Sequence, residues 1–319
     1  MNGTLSIIII KRLAMGVFIL FGVSILITLG VEALSGDVCS ALLGQAAEPA
    51  TVAACRAQLG IDRPMHIRYV EWLVNVTQGD FGTSLANKRE VAEQIGKRLG
   101  NTLYLAGTTA MFAVPIGIML GIIAALYRNS VIDHVISTST LTTISSPEFF
   151  VGYVLMAILA VNLGWLPAIS NVDSSMGFWE RLQVSALPVM TLTLVTVAHM
   201  MRMTRASIVS LLASPYIEMA KLKGLKPGRI IIKHALPNAW SPIIQVVVLN
   251  LAYMIVGVVV IEVVFVYPGL GALIVDAVLN RDLPVIQGTA MVFAAVYVLL
   301  FLLADVLSML ANPRLRHRR

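Results

Sequence analysis

Ser214-Pro215-Tyr216-Ile217-Glu218-Met219-Ala220-Lys221-Leu222-Lys223-Gly224-Leu225-Lys226-Pro227-Gly228 is a lysine-bearing stretch set between two apolar runs, Ala186 to Met201 and Ile243 to Val266. It reads as a short helix. Serine before proline is an entry signal, because the N–H that Pro215 lacks would be unbonded in the first turn anyway. Gly224, or Pro227-Gly228, stops the helix after about two or three turns. Tyr216, Met219, Ala220 and Lys223 fall at i, i+3, i+4 and i+7, one stripe with a small residue at its middle. Such a stripe in water calls for a partner groove. A second helix-like stretch, Arg229 to His234, is followed by Ala235-Leu236-Pro237-Asn238-Ala239, which leads into the next apolar run.

Working outward, the flanking runs are typical of the whole chain. Of its 319 residues, 58% are hydrophobic and only 13% charged, with mean hydropathy +0.85; an ordinary globular chain is about 25% charged. Lipid is the solvent such a composition suits. Disordered, collagenous and disulfide-rich secreted classes are excluded, and a soluble enzyme is a poor fit. A bilayer core needs about 20 largely apolar helical residues. Six stretches qualify: Leu13 to Leu34, Thr102 to Tyr127, Ile136 to Leu163, Ala186 to Met201, Ile243 to Val266 and Gly288 to Leu310. The fourth is short and the third is polar in its first half, which leaves five as the competing count. The first stretch exceeds the 7–15 apolar residues of a signal peptide, so it is expected to be a retained anchor.

Charge placement gives the orientation. The loops on one side hold fourteen of the 23 Lys and Arg, including Lys11, Arg12, Arg202, Arg205 and the cluster from Lys221 to Lys233. The short loops opposite hold Arg181 and Arg281, and the remaining seven lie from Arg56 to Arg98 in one long segment. The positive-inside rule then puts both termini in the cytoplasm and explains the net charge of +6 without any nucleic acid. The chain divides into an N-terminal segment with the first span (1–34), an external segment (35–100), a five-helix core (101–311) with its cytoplasmic loop at 214–239, and a basic tail (312–319). Helix-compatible stretches near Thr51 to Leu59 and Arg68 to Thr77 make the external segment helical. Cys39 and Cys55 fall within it, sixteen residues apart. They form either a disulfide or two free thiols; no CxxC or His-rich cluster accompanies them, so no metal site is expected.

The stretch quoted first resembles the EAA motif of bacterial ABC importer permeases: Glu-Ala-Ala, three residues, Gly, nine residues, Ile, one residue, Leu-Pro. Glu218, Ala220, Gly224, Leu236 and Pro237 stand at the matching positions, while Met219 replaces the middle Ala and His234 the Ile. Further stretches are similar to the dipeptide, oligopeptide and nickel type of permease. They include Leu59-Gly60-Ile61-Asp62-Arg63-Pro64, Gly79-Asp80-Phe81-Gly82-Thr83-Ser84, Gly164-Trp165-Leu166-Pro167 and Arg202-Met203-Thr204-Arg205. Glu262-Val263-Val264-Phe265, Pro268-Gly269-Leu270-Gly271, Arg281-Asp282-Leu283-Pro284-Val285 and Asn312-Pro313-Arg314 complete the series.

The resemblance implies an all-α integral membrane protein of the type I ABC importer permease fold, six-spanning and seated in the bacterial inner membrane. It implies a second related permease, two cytoplasmic ABC ATPases and a periplasmic substrate-binding protein as partners. No GxxxxGKS phosphate loop occurs here, so ATP and Mg would be bound by the ATPases, and the chain itself needs no cofactor. In that scheme Tyr216, Glu218, Met219, Ala220, Gly224, Leu236 and Pro237 couple the permease to the ATPase. Glu218 supplies the polar edge of the coupling helix, Ala220 allows close approach, Gly224 ends the helix, and Pro237 fixes the turn into the fifth span. The solute would be a dipeptide, an oligopeptide or a related small molecule, with nickel, glutathione or opines as alternatives within the family.

Ionisable residues within spans are functional candidates, because lipid burial costs at least about 2.5–3.5 kcal/mol. Glu148, after Pro147, either faces the translocation pathway or sits at a water-filled kink or beside a partner helix. Glu262 is the second pathway candidate, with structure as the alternative. Asp305 is expected to be neutralised by Arg202, Arg205 or the basic tail, and His199 to lie at the inner interface. Gly117 and Gly121 form a GxxxG pair suited to close helix packing, with Gly107 further along. Among other classes, a secondary transporter should show internal repeats and a broken charged helix near midplane, a channel a filter segment, and an enzyme a convergent acid, Ser or His cluster. No clear repeat, filter-like segment or convergent cluster is evident in the sequence, and a secondary transporter would not need the loop from Tyr216 to Pro237.

Overall fold

The computed structural model describes residues 2–33, 38–44, 48–173 and 175–311, without the side chains of 2–8, 227, 231, 232, 236, 241 and 308–311. Among these, regular structure is helical apart from one antiparallel bridge, Thr83 to Glu90. In chain order the helices are α1 (Asn2–Glu32), α2 (Val38–Leu43), α3 (Pro49–Leu59), α4 (Met65–Thr77), α5 (Val91–Leu126), α6 (Val131–Ser145) and α7 (Glu148–Leu155). There follow α8 (Phe178–Val184), α9 (Ala186–Leu212), α10 (Pro215–Leu222), α11 (Pro227–Ile230), α12 (Leu236–Val264), α13 (Leu270–Leu279) and α14 (Leu283–Ala311). α7 runs on into a π-helical segment, Met156–Asn162, and α11 joins α12 through another, Ile231–Ala235. The basic tail at 312–319 lies outside the described residues, as does Leu34, the expected end of the first span.

Among the described residues, five helices are long and apolar enough to cross a membrane: α1 from Ile9, α5, α9, α12 from Pro237, and α14. The third expected span is a pair, α6 and α7, bent by 104° where Ser146 and Pro147 intervene. Proline at 147 withholds the N–H that would continue the α6 ladder, and it pushes the residue before it into extended geometry. Counting the bent pair as one span gives six. Only 6% of the apolar window of α14 is buried, against 61% for α9. A helix apolar on all sides yet unburied is one solvated by lipid.

Two compact units divide the chain, and α1, α5 and α14 contribute residues to both. The first unit comprises residues 1–13, 104–267 and 297–319. Its centre is α9, packed against α6, α7 and α12. Leu187, Val189 and Leu192 of α9 join Met254, Val258 and Ile261 of α12 in the largest apolar cluster, closed by Leu105, Phe265 and Tyr267. Gly117 and Gly121 do what their spacing implies. A Cβ on Gly117 would lie 2.9 Å from Met200 Cβ, and one on Gly121 2.7 Å from Thr204 Cβ, so α5 rests directly on α9. Gly107 has open space beside it.

The second unit, residues 14–103 and 268–296, contains the segment 35–100 that charge placement assigns to the outside. Cys39 and Cys55 are disulfide-bonded with their Cα atoms 6.0 Å apart, linking α2 to α3. α4 is held to α1 by Tyr69, whose hydroxyl is 2.7 Å from Ser24 Oγ, and by Arg68, whose guanidinium reaches both oxygens of Glu32 at 2.8 and 3.0 Å. Glu71, hydrogen-bonded to Arg63 on the same surface, raises that guanidinium's pKa. Asp282 anchors the loop at Ser84 to Ala86, accepting from the Ser84 hydroxyl and from the N–H groups of Leu85 and Ala86. Gly288 lets Val91, Ile95 and Phe81 close over α14.

Candidate functional site

α10 is the short helix read from the sequence, and it is two turns long. Pro215 opens it, the carbonyl of Ser214 accepting from the N–H groups of Ile217 and Glu218 at 3.0 and 3.2 Å. Its end is a Schellman turn. Gly224 takes φ +73°, its N–H donates to the Lys221 carbonyl at 2.9 Å, and Leu225 N–H reaches the Ala220 carbonyl at 3.3 Å. Lys223 therefore stands beyond the last helical residue and drops out of the expected stripe.

The stripe itself divides. Ile217 and Ala220 are buried and pack with Ile230 and Ala235, flanked by Leu212 and Leu225. Ala220 is thus used within the chain, where its small side chain lets α10 lie close to the following segment. It does not form the middle of an outward face. Tyr216, Met219 and Leu222 point away, 43%, 54% and 77% exposed. They recur every third residue and share one face. Leu222 escaped the sequence reading because the i+4 partner of Met219 is Lys223, and only the observed helix end leaves Leu222 as the outer apolar residue. Glu218 is exposed between the two faces.

Leu236 is the first residue of α12, and its side chain lies outside what is described. Pro237, exposed beside it, does not make the expected turn. From Pro227 to Val264 the chain stays helical, with π geometry at Ile231–Ala235. A proline inside a helix removes one i→i−4 donor, and a slip to wider spacing just upstream absorbs that loss without breaking the helix.

The second feature is a cavity of about 700 Å³ among α7, α9 and α12. Glu148, in the first turn of α7, reaches it, together with Thr196 and His199 of α9 and Asn250, Tyr253 and Gly257 of α12. A Cβ on Gly257 would collide with the Glu148 carboxylate, so the acid lies directly over bare α12 backbone. His199, expected beside Arg202 at the inner interface, is part of this lining. Glu262, the other pathway candidate, is fully buried and takes no part in it. It lies beside Tyr267, whose phenol burial pushes up to about 12 against an opposing hydrogen bond from Arg181. Arg181 in turn sits 4.0 Å from the centre of the Tyr104 ring.

Two ion pairs depart from expectation. Asp305 is met by Arg12, Nε to Oδ2 at 2.9 Å, and among the described residues no ion pair joins it to Arg202 or Arg205; the basic tail lies outside those residues. Arg205 is committed to Asp133, donating from Nε at 2.7 Å and from Nη2 at 2.6 Å. Asp133, which no sequence argument singled out, also receives Asn129 N–H at 2.9 Å and the Ser137 hydroxyl at 3.2 Å. Its position one turn into a helix capped by Ser130 was the available signal. Among the described residues no group of three His, Cys, Asp or Glu side chains is placed to hold a metal ion.

Comparison with known proteins places this geometry. Residues 117–317 match the family described as binding-protein-dependent transport system inner membrane component. Residues 5–106 match the corresponding N-terminal membrane component. The glutathione transport system permease protein GsiC of Salmonella choleraesuis (strain SC-B67) and that of Escherichia coli (strain K12) are each 38% identical over 310 residues, covering 97% of this chain and 99% of theirs. Among solved structures, the MetNI methionine ABC transporter in inward-facing conformations superposes with TM-score 0.56 at 16% identity, over 68% of this chain and 96% of that one. At that identity the likeness is one of fold.

Proposed function

Because the chain belongs to the family of binding-protein-dependent transport system inner membrane components, and is therefore a multi-pass permease subunit of an ABC importer, we propose that it forms half of a translocation pathway driven by two cytoplasmic ATPases. The other half is a second, related permease, and a periplasmic binding protein delivers the solute. Both termini and α10 face the cytoplasm, in keeping with the distribution of Lys and Arg. The solute is a small peptide or a peptide-like molecule of the glutathione kind, a reading supported by 38% identity to glutathione permeases over nearly the whole chain.

The observation that carries the coupling role is the split face of α10. Ile217 and Ala220 tie the helix to its own chain, so that Tyr216, Met219 and Leu222 are held outward as a rigid apolar ridge. A ridge of three large apolar residues seats in a groove on the ATPase, where flexible Met219 adapts to the wall. When ATP closes the ATPase pair, the grooves move and carry α10 with them. Because α11, the π-helical segment and α12 follow without a break, that displacement passes into the fifth span as a rigid-body movement. ATP shifts the balance between inward and outward states only through its different affinity for the two.

Purification from the native membrane in mild detergent, with mass spectrometry of what accompanies the chain, tests the assembly. ATPase subunits, a second permease and a binding protein are expected. Recovery of the chain alone, from preparations that keep other membrane complexes intact, would overturn the reading.

A further inference from the structure

Glu148 is a carboxylate inside a membrane-spanning pair of helices, and among the described residues no hydrogen bond or ion pair reaches it. Arg205 and Arg12 of the same unit are engaged elsewhere, with Asp133 and Asp305. Such a group is costly in lipid unless something compensates its charge. The fold nevertheless holds it in place. Pro147 ends the preceding helix and sets Glu148 in the first turn of α7, and Gly257 clears the α12 backbone beneath the carboxylate. The cavity it faces is otherwise lined mainly by aliphatic and aromatic side chains, with Thr196, His199, Asn250 and Tyr253 as the further residues bearing polar groups.

This arrangement selects among cations. A hard metal ion needs about six oxygen ligands to replace its hydration shell, and one carboxylate with Thr196, Asn250 and Tyr253 as the other side-chain oxygens of the lining falls short of that number. An ammonium group on an apolar body needs one anion and a largely apolar wall, which is what this cavity of about 700 Å³ offers. We propose that the cavity is a transit site for solutes bearing a free primary ammonium, with Glu148 as its ion partner, so that the membrane subunit itself selects for the amine. The proposal rests on the importer reading above and names the chemistry that passes through it.

Two measurements on the assembled importer test it. In proteoliposomes, ATP-driven uptake of glutathione and of alanyl-phenylalanine is compared with uptake of their N-acetyl forms. The wild type should favour the free amine by about tenfold, the worth of one charge-assisted hydrogen bond, and Glu148→Gln should abolish that preference while Glu148→Asp keeps part of it. An equal preference in wild type and Glu148→Gln overturns the site. The second measurement does not depend on transport: a hydrophobic carbodiimide labels Glu148, and phenylalaninamide should slow the labelling several-fold where N-acetyl-phenylalaninamide does not. Equal rates with both probes overturn the site. Selective protection without any ATP-driven uptake would sink the importer reading and leave the ammonium site standing.

Discussion

Ser84 and Asp282, 198 residues apart, share a buried hydrogen bond in which the serine hydroxyl donates to Asp282 Oδ2. The N–H groups of Leu85 and Ala86 donate to the same carboxylate at 3.1 Å each, and Asp282 is only 3% exposed. Two stretches that resembled the family separately, Gly79 to Ser84 and Arg281 to Val285, are thus one structure.

Replacing Asp282 by Asn should therefore cost stability. The amide presents an NH₂ where three donors already converge, leaving at least one buried donor unmatched at about 1–3 kcal/mol. Ser84→Ala, which removes one donor and leaves the carboxylate two others, should cost less. Thermal unfolding in detergent measures both, and an Asp282→Asn variant as stable as the wild type would show the carboxylate to be dispensable.

The pair Asp133 and Arg205 joins α6 to α9 through two parallel hydrogen bonds. Arg205→Ala strands a buried carboxylate and should destabilise by about 3 kcal/mol, the lower end of the range for a broken buried pair because the Arg205 side chain is 28% exposed. Combining it with Asp133→Asn should recover a good part of that loss. Additive losses in the double-mutant cycle would contradict the coupling.

Gly224 adopts φ +73° with nothing within 4 Å of where a Cβ would sit, so its role is conformational rather than spatial. Asn, which tolerates the left-handed region, should keep uptake coupled to ATP hydrolysis. Val and Asp should weaken the coupling, Val more, while the protein still reaches the membrane. Proteoliposomes give the ratio of solute moved to ATP hydrolysed; a Gly224→Val importer with the wild-type ratio would exclude the cap as a coupling element.

The two faces of α10 should respond differently. Met219→Glu, at an exposed position, should reduce ATPase co-purification by about tenfold, as loss of a central apolar contact does, with thermal stability unaltered. Ile217→Ser, at a fully buried position, should instead loosen the loop and admit protease between Leu212 and Ile230. Retention of the ATPase by Met219→Glu would move the docking surface elsewhere.

Much of this was legible in the residues, and the misses have physical causes. Span positions follow from hydropathy because lipid demands about 20 apolar residues whatever the neighbours. The break at Ser146 and Pro147 was visible only as a kink at Pro147, since a proline signals a kink without giving its angle; 104° was set by what α6 and α7 pack against. Arg12 was not among the partners expected for Asp305, because which helices adjoin cannot be read from where they end. Arg12 comes from the opposite end of the chain.

Composition and periodicity alone determined a lipid-solvated helical protein, the existence of α10 between two spans, and its glycine stop, because each depends on local backbone preference or on transfer to lipid. Tertiary structure decided which side of α10 faces out, that Glu148 lies over Gly257 in a cavity while Glu262 is enclosed, and that Cys39 meets Cys55. Those outcomes depend on contacts between segments far apart in the chain, and hydrophobic patterning records that a residue is buried without recording against what.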